Sequence, residues 1–231
     1  MGTQADKTEA HEFPVLGIDT CGPAGSVALA RVTSASAAIL GEAALEGRTY
    51  STTLISAIER LLTAHTTALR DLACIIVVNG PGSFTGVRVG LSAAKGLAEG
   101  AGLPLVAVSR LEVLAHTAAA ADAALDAHRH EVFLRAHGRE LLAGAPELAA
   151  VHPAPTQIAV CDDAAATVLQ KTWPSAEILH VSPPTAADAI HHAAPQILAR
   201  NFADVLLLDG HYLRRSDAEI FGDPASAAAR K

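Results

Sequence analysis

The stretch that most limits what this chain can fold into runs from Asn79 to Pro104, NGPGSFTGVRVGLSAAKGLAEGAGLP. Just before it, Ile75-Ile76-Val77-Val78 is a continuous β-branched run, the pattern of a fully buried strand. Gly80-Pro81-Gly82 then turns the chain sharply into a helical pattern over Thr85 to Gly100. Strand, glycine turn, helix is the outline around which the rest is organised.

The turn admits two readings. Glycines let a backbone approach a ligand closely and the N–H groups of a helix start attract phosphate, which makes Gly82 and Ser83 candidates for a nucleotide loop. Alternatively the turn only joins strand to helix, with Ser83 or Thr85 as an ordinary N-cap. No G-x-x-x-x-G-K-[ST] spacing fits, so the segment is not a Walker A loop, and Arg88 is its nearest cation.

On the helix, Arg88, Ser92, Lys95 and Glu99 fall in one narrow polar stripe. Gly86, Gly90, Ala94 and Ala98 recur every fourth residue, a track along which another helix could approach closely. A glycine inside a helix costs about 1 kcal/mol relative to alanine, so the track needs a packing reason. A helix this apolar is buried on most sides, and a second protein could supply part of that burial. The helical pattern Tyr50 to His65, with Leu54, Ile58 and Leu61 on one broad face, would share the surface. Ser51 or Thr52 can cap its start. The expected partner face is therefore Leu54, Ile58, Leu61, Gly86, Gly90, Ala94 and Leu97.

The remaining elements read as follows. Phe13 to Ile18 is a strand ending at Asp19-Thr20, a turn follows at Gly22-Pro23 and Gly25, and Ser26 to Val32 returns as a hairpin partner. Ile39 to Leu45 is a third strand. An acid at a strand end can hold a metal-bound phosphate or only fix its own turn, so Asp19 and Thr20 join the cofactor candidates. Leu105 to Val108 is a strand, Arg110 to Ala124 an alanine-rich helix, and Ala124–Ala127 and Val132–Ala136 are strands about a His128–Glu131 turn. His128, His130 and His137 match no metal-ligand spacing. Leu141 to Pro155 reads as loop and Gln157 to Val160 as strand, while Asp162-Asp163 could bind a cation or cap a helix over Ala164 to Thr172. Ile178 to His180 is a short strand, and Thr185 to Asn201 a helix carrying Pro195. No internal sequence repeat is visible.

With 231 residues the chain can bury a sizeable core. Half of it is hydrophobic but only 3% aromatic, so small side chains dominate the packing. A net charge of -7 argues against a broad nucleic-acid footprint, so any RNA is expected to be held mainly by a partner. The three cysteines, Cys21, Cys74 and Cys161, have neither disulfide-framework nor zinc-knuckle spacing. Residues 1–12 are polar without the apolar core of a secretory signal, and no window approaches the length of a membrane span. A cytoplasmic protein is expected.

The segments VLGIDTCGPAGSVAL, GRTYSTTLISAIERLL, NGPGSFTGVRVGLSAAKGLAEGAGLPLVAVSRLEVLA, ALDAHRHEVFL and GHYLRR, in this order from Val15 to Arg215, resemble the TsaB (YeaZ) family. The resemblance implies an α/β, actin-like (RNase-H-like) ATPase fold of two lobes, each a β-sheet flanked by helices. Residues 13–108 would form the first lobe and 109–215 the second, with the helix at 185–201 packing back on the first. Disordered polar tails are expected at 1–12 and 216–231.

The function implied is that of a non-catalytic partner of TsaD, the enzyme that transfers a threonylcarbamoyl group to adenosine beside the anticodon of tRNA. The ATPase TsaE is a further partner, the chain alone would be a homodimer, and tRNA would be met only through the complex. No metal or tightly bound cofactor is implied, with ATP or ADP placed at the TsaD interface or on TsaE. TsaD enzymes carry an H-x-x-x-H metal pair where this chain has Arg110 and Leu114, and neither is a transition-metal ligand. Cys21-Gly22 stands where the family more usually has Ser-Thr, and Tyr50 where many members have His. A stand-alone ATPase or phosphotransferase using Asp19 and the glycine turn is the alternative.

Overall fold

A computed structural model describes residues 12–46 and 49–214. The expected tails therefore lie outside the described residues, apart from Glu12. Among the described residues, ten strands form two five-stranded mixed sheets. The first contains β1 (Phe13–Asp19), β2 (Ala24–Val32), β3 (Ala37–Glu46), β4 (Cys74–Val78) and β5 (Leu105–Val108), in the order β3-β2-β1-β4-β5. The second contains β6 (Ala123–Asp126), β7 (Val132–Ala136), β8 (Arg139–Ala143), β9 (Gln157–Val160) and β10 (Glu177–His180), in the order β10-β9-β6-β7-β8. In each sheet the first strand pairs antiparallel with the second and parallel with the fourth. The two lobes thus share one topology although the sequence shows no repeat.

The helices are α1 (Tyr50–Ala64), α2 (Phe84–Ala101), α3 (Arg110–Thr117), α4 (Ala145–Ala149), α5 (Asp163–Thr172) and α6 (Ala186–Leu198). Strand alternation splits the first sheet into two buried faces. Leu16, Ile18, Ile75 and Val77 meet α1 and α2, while Val15, Cys74, Ile76 and Val78 meet α6. In the second sheet, Leu134 and Ile158 pack with Leu148 of α4 and Leu169 of α5, and Leu125 and Ala159 pack with Leu111 and Leu114 of α3. The helices after β5 and β10 each cross to the other sheet: α3 follows β5 but covers the second sheet, and α6 follows β10 but covers the first. This exchange, with α3 and α6 packed together, ties the lobes to each other.

Helix α2 begins where the turn predicts. Ser83 is its N-cap, accepting a hydrogen bond from the Gly86 N–H at 3.3 Å, and Gly102 ends it in the left-handed region at φ 67°. Helix α1 starts at Tyr50 as expected, but its N-cap is Thr49, with no side-chain cap bond, so Ser51 and Thr52 lie within the helix and do not cap it.

The alanine-rich helix stops at Thr117, short of Ala124, because the chain must re-enter the second sheet at Ala123. Asp122 pins that entry by accepting a hydrogen bond from the His137 N–H at 2.9 Å. The region read as loop from Leu141 contains most of β8 and all of α4. His137 and Gly138, both at positive φ, form the two-residue turn that returns β8 against β7.

The largest correction concerns the small-residue track. Gly86, Gly90 and Ala94 face inward, and a Cβ on Gly86 would run into the Thr20 carbonyl oxygen and one on Gly90 into the Thr20 hydroxyl. Thr20 also donates its hydroxyl to the Gly86 carbonyl at 2.7 Å. The track seats α2 on β1 of its own chain and not on a second protein. Leu54, Ile58 and Leu61 are likewise buried in the first-lobe core, and Leu97 is only partly buried beside them. Each such aliphatic burial stabilises the lobe by about 1.5–3 kcal/mol, enough to commit these side chains to the core.

Candidate functional site

A cleft of about 1110 Å³ is lined by residues of both lobes at the strand ends where each sheet's first turn emerges. The first lobe supplies Cys21 and Gly22 after β1, the Pro81–Gly86 segment and Tyr50. The second supplies Asp126, His128 and Asp162, and Arg110 enters from the start of α3. The cofactor candidates Asp19, Thr20, Gly82 and Ser83 are brought together at this floor, but by bonds among themselves and their neighbours. The Ser83 N–H donates to the Cys21 carbonyl at 2.8 Å, and the Cys21 N–H donates to Asp19 Oδ1 at 2.8 Å. A side chain at Gly82 would strike the Cys21 carbonyl oxygen, so the two turns touch with no space between them.

Asp19 is 1% exposed, and its Oδ2 lies 3.8 Å from Nε of Arg110, whose side chain is 6% exposed. Burial raises the Asp19 carboxyl above its ordinary 3.8, opposed by the Arg110 charge and the Cys21 N–H. Asp19 Oδ2 and Arg110 Nε have no hydrogen-bond partner among the described residues. A side chain at Gly22 would collide with the Arg110 guanidinium, so glycine there makes room for the arginine. The Tyr50 hydroxyl donates to the Gly22 carbonyl at 2.9 Å, and burial pushes its pKa up to about 12. Cys21 donates its thiol to the Val78 carbonyl at 3.2 Å and is pushed well above 9.0 by burial, which makes it an unreactive thiol.

The metal expected of a TsaD-type site does not fit these residues. A cation beside Asp19 would meet the guanidinium already there, and Leu114 is part of the second-lobe core. Among the described residues no group of three or more histidine, cysteine or acidic side chains could hold a metal ion. In the β6–β7 turn His128 is used locally, its Nδ1 placed 2.8 Å from Asp126. No described helix is long and apolar enough to cross a membrane.

Sequence reasoning missed a polar cluster under the cleft. Glu140 accepts from Ser109 Oγ at 2.7 Å and pairs with His211 at 2.8 Å, while Glu112 meets Arg135 at 3.3 Å and His192 at 3.7 Å. No short motif marks it, because its members come from α3, β7, β8, α6 and the closing segment. His211 is raised above 6.5 by its bond to Glu140. His116, whose ring lies 5.3 Å from that of His192, is lowered below 6.5 by burial and then by the neighbouring His192 and His191.

These shifts act oppositely on stability. The lowered His116 must take up a proton on unfolding, so its contribution is present above pH 6.5 and lost as pH falls toward its folded value. The raised His211 contributes below pH 6.5 and loses that contribution as pH rises through its folded value. Thermal midpoints measured from pH 5 to 8, about the range over which imidazoles titrate, should lose their acid-side slope in His116→Gln and their alkaline-side slope in His211→Gln.

Residues 42–151 match a family model described as "TsaD: tRNA N6-adenosine threonylcarbamoyltransferase". The chain is 36% identical over 132 residues to the Escherichia coli "tRNA threonylcarbamoyladenosine biosynthesis protein TsaB", covering 54% of this chain and 55% of that protein. It is 44% identical over 68 residues to the Bacillus subtilis protein of the same name, 29% of this chain and 30% of that one. The match thus spans about half the length, or less, of these curated relatives.

A solved Pseudomonas aeruginosa structure, an uncharacterized protein with similarity to peptidase YEAZ, superposes with a TM-score of 0.71 at 27% identity. It covers 87% of this chain and 100% of its own. The paired five-stranded sheets and this likeness define the actin-like (RNase-H-like) ATPase fold of two lobes. On its sequence matches and its fold together, the chain is similar to the TsaB (YeaZ) proteins.

Proposed function

We propose that this chain is a non-catalytic subunit of the tRNA threonylcarbamoyladenosine machinery that binds and stabilises a TsaD-type transferase through the outer face of α1 and α2. The observation that carries the reading is the bareness of that face. Among the described residues, a Cβ on Gly96 or Gly100 would meet nothing within 4 Å, so none of those residues gives either glycine a packing reason. Each still costs the helix up to about 1 kcal/mol. With exposed Ser92 and part-buried Val89, Ala93 and Leu97, they form a low surface on α2. Ile55, 52% exposed, stands on the adjoining α1. Two such faces, or this face and a like one on TsaD, would let helices approach closely, as in interfaces that resemble a divided core.

Absence of catalysis is supported by the cleft floor, where Arg110 and the turn contacts take up the groups that a phosphate or metal would need. A TsaE-type ATPase and tRNA are then met through the complex, and any ATP or ADP is held there. Reconstitution of tRNA modification from TsaD and TsaE, with and without this chain, tests the proposal. Modification is expected only when the chain is present, and full activity without it would contradict a required subunit. ATP turnover by this chain alone, abolished by Asp19→Ala, would favour the stand-alone ATPase instead.

A further inference from the structure

We propose that Arg110 is the built-in cation of the cleft floor: its guanidinium stands beside Asp19 where a bound cation would otherwise neutralise the carboxylate, so Asp19 has its counter-charge without a ligand. The buried charge of Asp19 needs a counter-charge, and Arg110 at 3.8 Å is the cation that reaches it. Room for the guanidinium depends on the missing side chain at Gly22. Gly22 is in turn fixed by the Tyr50 hydroxyl on its carbonyl, and the Arg110 N–H is fixed by the Gly80 carbonyl at 2.7 Å. Cys21, Gly22, Tyr50 and Arg110 thus form one closed set around the β1–β2 turn.

The second lobe repeats the turn bond but not the buried pair, since the His128 side chain is 86% exposed. Asp126 ends β6 as Asp19 ends β1, each accepts at 2.8 Å from the N–H two residues on, and the other Asp126 oxygen faces His128. The two unpartnered atoms, Asp19 Oδ2 and Arg110 Nε, mark the first pair as the one a small cation could replace once the arginine is removed.

The test uses the full chain, with methylguanidinium and Mn²⁺ as probes and sodium chloride at equal ionic strength as control. Arg110→Ala should show a thermal midpoint raised several degrees by methylguanidinium over the salt control, and Mn²⁺ binding visible by electron paramagnetic resonance. Wild type should show neither. Arg110→Gln with Asp19→Asn removes both charges, and this double variant should melt above the Arg110→Gln single variant and ignore the probes. That comparison decides the matter even where Arg110→Ala is too unstable to melt. Mn²⁺ binding by wild type that is lost in Asp19→Asn, equal probe responses in wild type and Arg110→Ala, or a double variant no more stable than the single would each overturn the proposal.

Discussion

Gly86→Ala is expected to destabilise the chain by about 3 kcal/mol, a drop of roughly 6–12 °C in thermal midpoint for a domain of this size. Gly86 lies in the first turn of α2, where the gain in helix propensity from alanine is small. Against that gain, the new methyl meets the Thr20 carbonyl oxygen, a backbone atom that cannot turn aside. Helix α2 would have to lift from β1, which strains the Thr20 hydroxyl bond to the Gly86 carbonyl and loosens the Gly90 and Ala94 contacts. Overpacking typically costs about 1–3 kcal/mol, and a buried hydroxyl left unpaired adds about 1–3 more. Thermal denaturation of the purified chain checks this, and an unchanged midpoint would mean that the inward track is not packed on β1.

The contrast with Gly96 shows how much of α2 could be read from sequence. Small residues every fourth position predicted a close approach, and there is one, but the pattern is the same whether the neighbour is a strand of the same chain or a helix of another. The neighbour was decided by Ile18 of β1 and Thr20 just beyond it, both distant in sequence from α2. The outward glycines Gly96 and Gly100 were in the same stretch, yet only the empty space around them distinguishes them from Gly86 and Gly90.

Strands with continuous β-branched runs, such as β4, and capped helices such as α2 and α5 were legible because their signals are local. The pair β8 and α4 was not, because its sign was two positive-φ residues at His137-Gly138 and not a hydrophobic period. At the cleft, Asp19, Gly22, Tyr50 and Arg110 stand in separate sequence segments. That they touch follows from the meeting of β1, α1 and α3, which no spacing encodes.

The second large effect is expected at the partner face. Gly96→Glu places a charge in open space on the free chain, so folding should be unaffected apart from a helix-propensity gain of up to about 1 kcal/mol. In a complex formed on this face the same carboxylate would be buried without a counter-charge, costing about 3 kcal/mol, or roughly 100-fold in Kd. Ile55→Asp tests the adjoining helix with the same expectation.

The most direct measurement is the affinity of a TsaD-type transferase for wild type, Gly96→Ala and Gly96→Glu, each first shown to melt no lower than wild type. The account predicts binding by wild type, weakened binding by Gly96→Ala, and loss of binding with Gly96→Glu together with loss of tRNA modification in the reconstituted system. Equal affinity of Gly96→Glu and wild type would contradict the outer face of α1 and α2 as the docking surface.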